Sequence, residues 1–241
     1  MSRQSALAEG ARTGLDPLRH VRKGDAARHA IRRSILLGHI AAGEQLLEQR
    51  IAQQLKCSQG TVREAFLRLQ QEGLVARRGY RGTFVSTTSA QEAARMVEIR
   101  IQLECAGVQR SAPRLDGAAI AELHAVTDDM DRAIEALDFY RCSELDRQFH
   151  LALFRQADLP ALEPILIRCA LHIHRFTFLD AEAMAPDVTM GDTHRAVLAI
   201  IAGGDAAAAA RAIGSHIGGV IERWAPPLVR ELRHGAVRNP E

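Results

Sequence analysis

The stretch at residues 58–71, SQGTVREAFLRLQQ, followed at once by EGLVARRGYRGTFV, limits what this chain can fold into more than any other. Val62, Ala65, Phe66 and Leu69 recur at i, i+3, i+4 and i+7, so they share one face of a short amphipathic helix. Ser58 stands where an N-cap belongs, its hydroxyl available to a free N–H of the first turn. The opposite face carries Gln59, Thr61, Arg63 and Arg68, a polar set with the reach to touch phosphates or base edges. Gly73 ends the helix. Two β-prone runs at 74–77 and 83–86 then flank Arg78-Gly79-Tyr80-Arg81-Gly82, which reads as a flexible basic hairpin wing.

The residues upstream complete a unit. Ala27, Ile31, Ile35 and Leu36 form the apolar stripe of a first helix that ends near Gly38. Residues 47–55 give a second helix with Ile51, Ala52 and Leu55 inward, and Lys56-Cys57 turns tightly into the third. Three helices and a two-stranded wing describe a winged helix-turn-helix, in which the third helix enters the DNA major groove. A small helical domain with a basic surface is the bland alternative; the order and spacing of helix, turn, helix and wing argue against it.

Charge is distributed to match. The whole chain of 241 residues has a formal net charge of only +2, yet residues 1–85 hold fifteen Lys and Arg against seven Asp and Glu. The remainder is acidic, which phosphate would repel, so a nucleic-acid module joined to a second domain is expected. Four cysteines, Cys57, Cys105, Cys142 and Cys169, form no C-x-x-C pair and read as small buried hydrophobes in a reducing compartment. No apolar run approaches a membrane span, and the first 24 residues lack a signal core. A cytoplasmic protein with a mobile tail at 1–24 is expected.

From residue 87 onward the pattern is helical. Ser89-Ala90-Gln91-Glu92 is a capping box, and helices are expected at 89–112, 116–136, 138–157, 160–179, 188–202 and 205–224. The fold class is therefore mainly α: a winged helix-turn-helix at 25–86 and an antiparallel all-helical bundle at 87–226. Residues 227–241 are expected to be a frayed tail.

Within the bundle, Asp146 and His150 lie one turn apart on one helix, beside inward-facing Phe149 and Leu153. His194 opens the apolar stripe of Val197, Leu198 and Ile201, and His216 belongs to that of Ile213, Ile217 and Val220. Three helices thus aim one carboxylate and three imidazoles inward. Each histidine alone reads as a satisfied core residue. As a set, the four offer the donors a divalent transition metal takes, with zinc, nickel, manganese and iron all compatible. His172 and His174 flank Ile173, so at most one is expected to point inward. Arg100 reads either as half of a weak surface ion pair with Glu104, four residues on, or as a group near enough to the interior to matter.

The N-terminal motifs resemble the DNA-binding domain of GntR-type transcription regulators. The resemblance rests on GHIAAGEQL at 38–46, IAQQL at 51–55, Ser58, TVREA at 61–65, EGLV at 72–75 and GTFV at 82–85. It implies DNA contacts from Ser58, Thr61 and Arg63 on the third helix, from Gln49, Gln59 and Gly60 at base edges, and from Arg81 and Gly82 on the wing. Gln49 and Gln59 replace arginines usual in that family, and Gly60 a usual threonine, which changes the operator expected, since Gln suits adenine and Arg guanine. RIQLE at 100–104, DRQFH at 146–150, HRAVLAIIAGGD at 194–205 and 212–216 resemble the helical FCD domain of one GntR subgroup. That resemblance implies a metal held by Asp146, His150, His194 and His216, and Arg100 facing a cavity for a small carboxylate. A homodimeric repressor of a near-palindromic operator is the expectation, not an enzyme. A sensor of the metal alone and, more remotely, a DNA-tethered metallohydrolase are the rivals.

Overall fold

The computed structural model describes residues 21–177 and 190–237. Helix α1 (Val21–Leu36) buries Ala27, Ile31, Ile35 and Leu36 against α3 (Gln59–Gln71), which presents Val62, Ala65, Phe66 and Leu69 in return. Between them lie strand β1 (Gln45–Leu46) and helix α2 (Glu48–Gln54), where Ile51 and Ala52 are buried and Leu55, just beyond, is half-buried. The Ser58 hydroxyl accepts from the Thr61 N–H at 3.1 Å, as a cap should. Strands β2 (Val75–Arg77) and β3 (Thr83–Val85) form the wing, with Val75 opposite Val85. A single 3-10 turn, Gly79–Arg81, makes its tip and leaves Tyr80 97% exposed.

Two expectations need correction here. The wing sheet has three strands, because β1 pairs with β3 and buries Leu46; two residues are too few to show an alternation in sequence. Helix α1 starts at Val21, inside the stretch read as a tail. The tail reading for 1–20 lies outside the described residues.

The second half contains α4 (Ala90–Ser111), α5 (Gly117–Glu135), α6 (Phe139–Arg155), α7 (Glu163–Thr177), α8 (Met190–Ala202), α9 (Ala206–Trp224) and α10 (Pro226–Val237). Ser89 and Glu92 make the reciprocal capping box of α4, while Asp116, Asp138 and Asp205 cap α5, α6 and α9. The ends expected at 178–179 and 188–189 lie outside the described residues. Helix α10 was expected as frayed chain. Leu228, Val229 and Leu232 share an apolar face that packs against the bundle, with Leu228 fully buried, and proline is tolerated in a first helical turn. Helix α4 is central, contacting α6, α7, α9 and α10. Gly107 lets it in: a Cβ there would meet the Phe154 ring at 2.5 Å. Cys142 and Cys169 are buried, but Cys57 and Cys105 are only half-buried, contrary to the expectation for all four. No helix among the described residues is long and apolar enough to cross a membrane.

The two halves are bolted together. Leu171 of α7 is part of the winged-helix core. Gly73, at φ +80°, sits so close to α7 that a Cβ would meet Arg168 Nε at 2.6 Å. Arg32, 2% exposed, donates through Nη1 to Glu72 at 3.3 Å and through Nη2 to Glu144 of α6 at 2.5 Å. Burial opposes the Arg32 charge, but Glu144 and Glu72 outweigh it and hold the guanidinium protonated. His172 faces this junction, between the Gly73 carbonyl at 3.2 Å and the Thr88 hydroxyl at 2.5 Å. A carbonyl only accepts, so Nε2 carries the proton and Nδ1 accepts from Thr88. Both His172 and His174 are buried, which corrects the expectation of at most one: they leave the helix on different faces, and both faces are covered.

Removing one partner from a buried ion pair strands the other charge. Arg32→Met should therefore destabilise the chain by roughly 3 kcal/mol in chemical denaturation, softened by Arg28 and Arg147, which also reach Glu72 and Glu144. Burial, then the charge of Arg175, pushes the His172 pKa down to about 4. The unfolded chain takes up that proton near pH 6.5, so stability is complete above that pH and is lost as pH falls from about 6.5 toward 4. His172→Gln should flatten this part of the pH–stability curve relative to the parent.

Candidate functional site

Helix α6 places Asp146 and His150 one turn apart on its buried face, α8 contributes His194 and α9 contributes His216. One ligand atom from each of the four lies within 4.8 Å of the others. Asp146 Oδ1 is 3.2 Å from His194 Nε2 and 3.5 Å from His150 Nε2. The His194 and His216 rings meet edge to face at 4.3 Å, and the His150 and His216 rings stack at 5.4 Å. Asp146, His150 and His194 are buried and His216 is half-buried. The four residues singled out in the sequence are thus brought to one point.

The far side of each ring decides what the near side offers. His194 Nδ1 lies 2.7 Å from the Met190 carbonyl, which can only accept, so Nδ1 carries a proton and Nε2 turns toward Asp146. His150 Nδ1 is bonded to the Glu104 carboxylate, which likewise fixes its proton. The Nε2 atoms of His150 and His216 are buried with no hydrogen-bond partner. A lone pair turned on a carboxylate, beside two unpartnered ring nitrogens, is uncomfortable unless a cation lies among them. Protons can serve: Glu104 and Asp146 overcome burial and raise the His150 pKa. A divalent ion of the zinc, nickel, manganese or iron type would serve all four donors together.

Titration reflects this crowding. Burial alone would raise the Asp146 carboxyl, but the charge of His150 and the close contacts of His174 and His194 hold it well below the usual range. Burial, then the charges of His194 and His150, push His216 down to about 2, leaving its ring neutral. Neutral imidazole and ionised carboxylate are the ligand forms a metal needs.

Arg100 is buried, 3% exposed, and not on the surface. Its Nε donates to Glu104 Oε1 at 2.7 Å, and Nη2 lies 3.7 Å from Asp146 Oδ2. Both alternatives for Arg100 are therefore met at once: it pairs with Glu104, and it does so in the interior. Glu104, 1% exposed, and His174, whose Nε2 is 3.3 Å from Asp146 Oδ2, are the site residues that the sequence did not single out. An (i, i+4) Arg–Glu pair looks the same in sequence whether buried or exposed. Beside Arg100, Asp146 and His174 lies a cavity of about 50 Å³, walled by Phe139, Ile173 and Trp224 and large enough for a few water-sized groups.

The candidate nucleic-acid interface is at the other end of the molecule. Ser58, Gln59, Gly60 and Arg63 are exposed over the first turns of α3, with Thr61 half-buried beside the Ser58 hydroxyl. Gln49 is exposed on α2, and Arg81 and Gly82 sit on the wing, where Gln45 Nε2 donates to the Arg81 carbonyl at 2.8 Å. With β1 and β3, these elements enclose a cleft of about 540 Å³ lined by Gln49, Arg63, Arg77 and Gly82.

Residues 23–85 match the family model described as bacterial regulatory proteins, gntR family, and residues 95–219 match the FCD domain. The chain is 26% identical over 203 residues to the HTH-type transcriptional repressor RspR of Escherichia coli K12, covering 84% of this chain and 87% of that one. It is 35% identical over 132 residues to an uncharacterised HTH-type regulator of Agrobacterium vitis, covering 53% and 77%. Among solved structures it resembles E. coli McbR/YncC with a TM-score of 0.71 at 20% identity, covering 83% of this chain and 95% of that one. A GntR regulator from Rhodococcus sp. RHA1 superposes with a TM-score of 0.62 at 24% identity, covering 83% and 96%.

Proposed function

The chain belongs to the GntR family of DNA-binding transcription regulators, with an FCD domain as its second half, and we propose that it is a homodimeric, cytoplasmic repressor governed by a small organic acid at a metal centre. It is a regulator and not an enzyme, as its family and relatives are. The observation that carries the metal reading is the convergence of Asp146, His150, His194 and His216 with two ring nitrogens otherwise unpartnered. These four residues hold the ion, which supplies a Lewis-acidic anchor for an oxygen ligand. Met190 and Glu104 orient two of the imidazoles toward it.

Charge decides the class of effector. A divalent ion with Asp146 leaves one excess positive charge. Arg100 adds a second, but Glu104 cancels it, so the dry interior carries about one net positive charge with His150 neutral. A monocarboxylate with a short apolar body suits that charge and the cavity against Phe139, Ile173 and Trp224. Repression agrees with the similarity to RspR, an HTH-type transcriptional repressor. Two protomers, each with α3 in a major groove, read a near-palindromic operator.

The same helix carries the signal outward. Asp146 is two residues from Glu144, Glu144 holds Arg32, and Arg32 holds Glu72 at the C-terminal end of α3. A ligand that prefers one placement of α6 biases the placement of α3 by as much as it discriminates between the two.

Glu104→Gln should lower metal affinity about 10- to 100-fold, measured by competition with a chelator, because it loosens the His150 ring. Wild-type protein that takes up no stoichiometric zinc, nickel or manganese at neutral pH would sink the metal reading. Calorimetry of mono- and dicarboxylates against the metal-loaded protein tests the effector. Monocarboxylates should bind more tightly than dicarboxylates of the same length, and Arg100→Ala should lose that binding while keeping the metal. A metal that alters operator affinity with no carboxylate able to modify it would favour the metal-only sensor.

A further inference from the structure

Glu48 is the first residue of α2, where the helix N-terminus favours a carboxylate. Across the cleft, Arg63 of α3 is 15 residues away in sequence, yet it grips Glu48 with two bonds. Nε donates to Oε1 at 3.2 Å, and Nη2 donates to Oε2 at 2.7 Å. Both side chains are open to solvent, Arg63 at 63%. An acidic residue on a surface meant for phosphates is costly to affinity, so its place there asks for a reason.

We infer that Glu48 is a positioning residue: it locks the Arg63 guanidinium so that its free end reads a guanine, exchanging general DNA affinity for base discrimination. This rests on the proposed placement of α3 in the major groove. The two bonds to Glu48 occupy one edge of the planar fork and leave Nη1 and the outer N–H of Nη2 facing away from α2. Those two donors are parallel and coplanar, as guanine O6 and N7 require. A free arginine so exposed would instead sample phosphates, which are present beside every base pair and carry no sequence information. Around it, Gln49 and Gln59 are amides suited to adenine, so Arg63 is the long cation of this set that can select guanine. The hydrogen bond from Arg63 also holds the Glu48 carboxyl below its usual range, so the lock persists into mildly acidic solution.

The sign of the charge makes the idea separable from a structural role. Losing Glu48 removes a negative charge from the DNA face, so binding to any sequence should tighten while selectivity falls. The test is selection from a random-sequence duplex library by the full chain. Wild type, Glu48→Ala, Arg63→Ala and the double variant are compared, with the affinity of each for one scrambled duplex measured at two salt concentrations. Wild type should enrich guanine at one position in each half-site. Glu48→Ala should lower that preference about fivefold or more and bind the scrambled duplex more tightly. The double variant should match Arg63→Ala in base preference, because Glu48 acts through Arg63. An undiminished guanine preference in Glu48→Ala overturns the inference. So does an equal loss of affinity for selected and scrambled duplexes, or a further flattening in the double variant. If Arg63→Ala itself selects the same sequences as wild type, α3 is misplaced in the groove and the inference falls with that reading.

Discussion

A carboxylate buried in the middle of a helical bundle is the constraint on which the second half of this structure depends. Asp146 is 4% exposed, and an isolated ion there would cost several kcal/mol. The cost is met by surrounding it. Helix α4 sends Arg100, α7 sends His174, α8 sends His194, and α6 itself sends His150. Four helices must therefore lie within reach of one side chain. The apolar residues of the core set how closely those helices pack; Asp146 sets which faces turn inward. A carboxylate needing partners on so many elements leaves few alternative registers for any of them.

The junction between the halves obeys the same rule at a second buried charge. Arg32 comes from the winged helix, Glu72 from the end of α3 and Glu144 from α6. Around these three residues the contacts are close and directional: a glycine at 73 packed against the Arg168 side chain of α7, a histidine at 172 in a single tautomer, and Arg175 Nη1 donating to the Ser86 carbonyl at 2.7 Å. Polar contacts of this kind fix orientation more sharply than an apolar seam does, because misplacement strands a charge.

How much of this was legible depended on whether the feature was local. Caps at Ser58 and Ser89, the stripe of α3 and the wing at 75–85 are statements about residues a few positions apart, and the sequence displays them directly. The convergence of Asp146, His150, His194 and His216 was legible because each sits on an apolar stripe, and stripes point inward. Glu104 and His174 were not. Glu104 stands four residues after Arg100, which is what a solvated pair looks like, and only the packing of α4 at the centre buries it. His174 shares its short run with His172, and period alone cannot reveal that α7 is covered on both faces. Helix α10 escapes a sequence reading because Pro226-Pro227 looks like an ending, although proline is well placed in a first helical turn. Strand β1 is two residues long, below any periodicity.

The missed glutamate changes the chemistry more than the missed strand changes the fold. With Arg100 counted alone, the interior has two positive charges to spare once a divalent ion is present, and a dicarboxylate is its natural counterpart. With Glu104 included, the guanidinium is already answered on its Nε edge, and one carboxylate restores neutrality. Arg100 then contributes direction more than charge, through the N–H groups that Glu104 leaves open toward Asp146. Glu144, on the same helix as Asp146 but turned to the other domain, is committed in the same way, to Arg32 and Arg147. Helix α6 thus has a carboxylate paired with two arginines facing the winged helix and a carboxylate facing the bundle whose charge is answered by protons or a cation. An element with one end fixed and the other conditional is what coupling between two sites requires, and α6 is such an element, in contact with both.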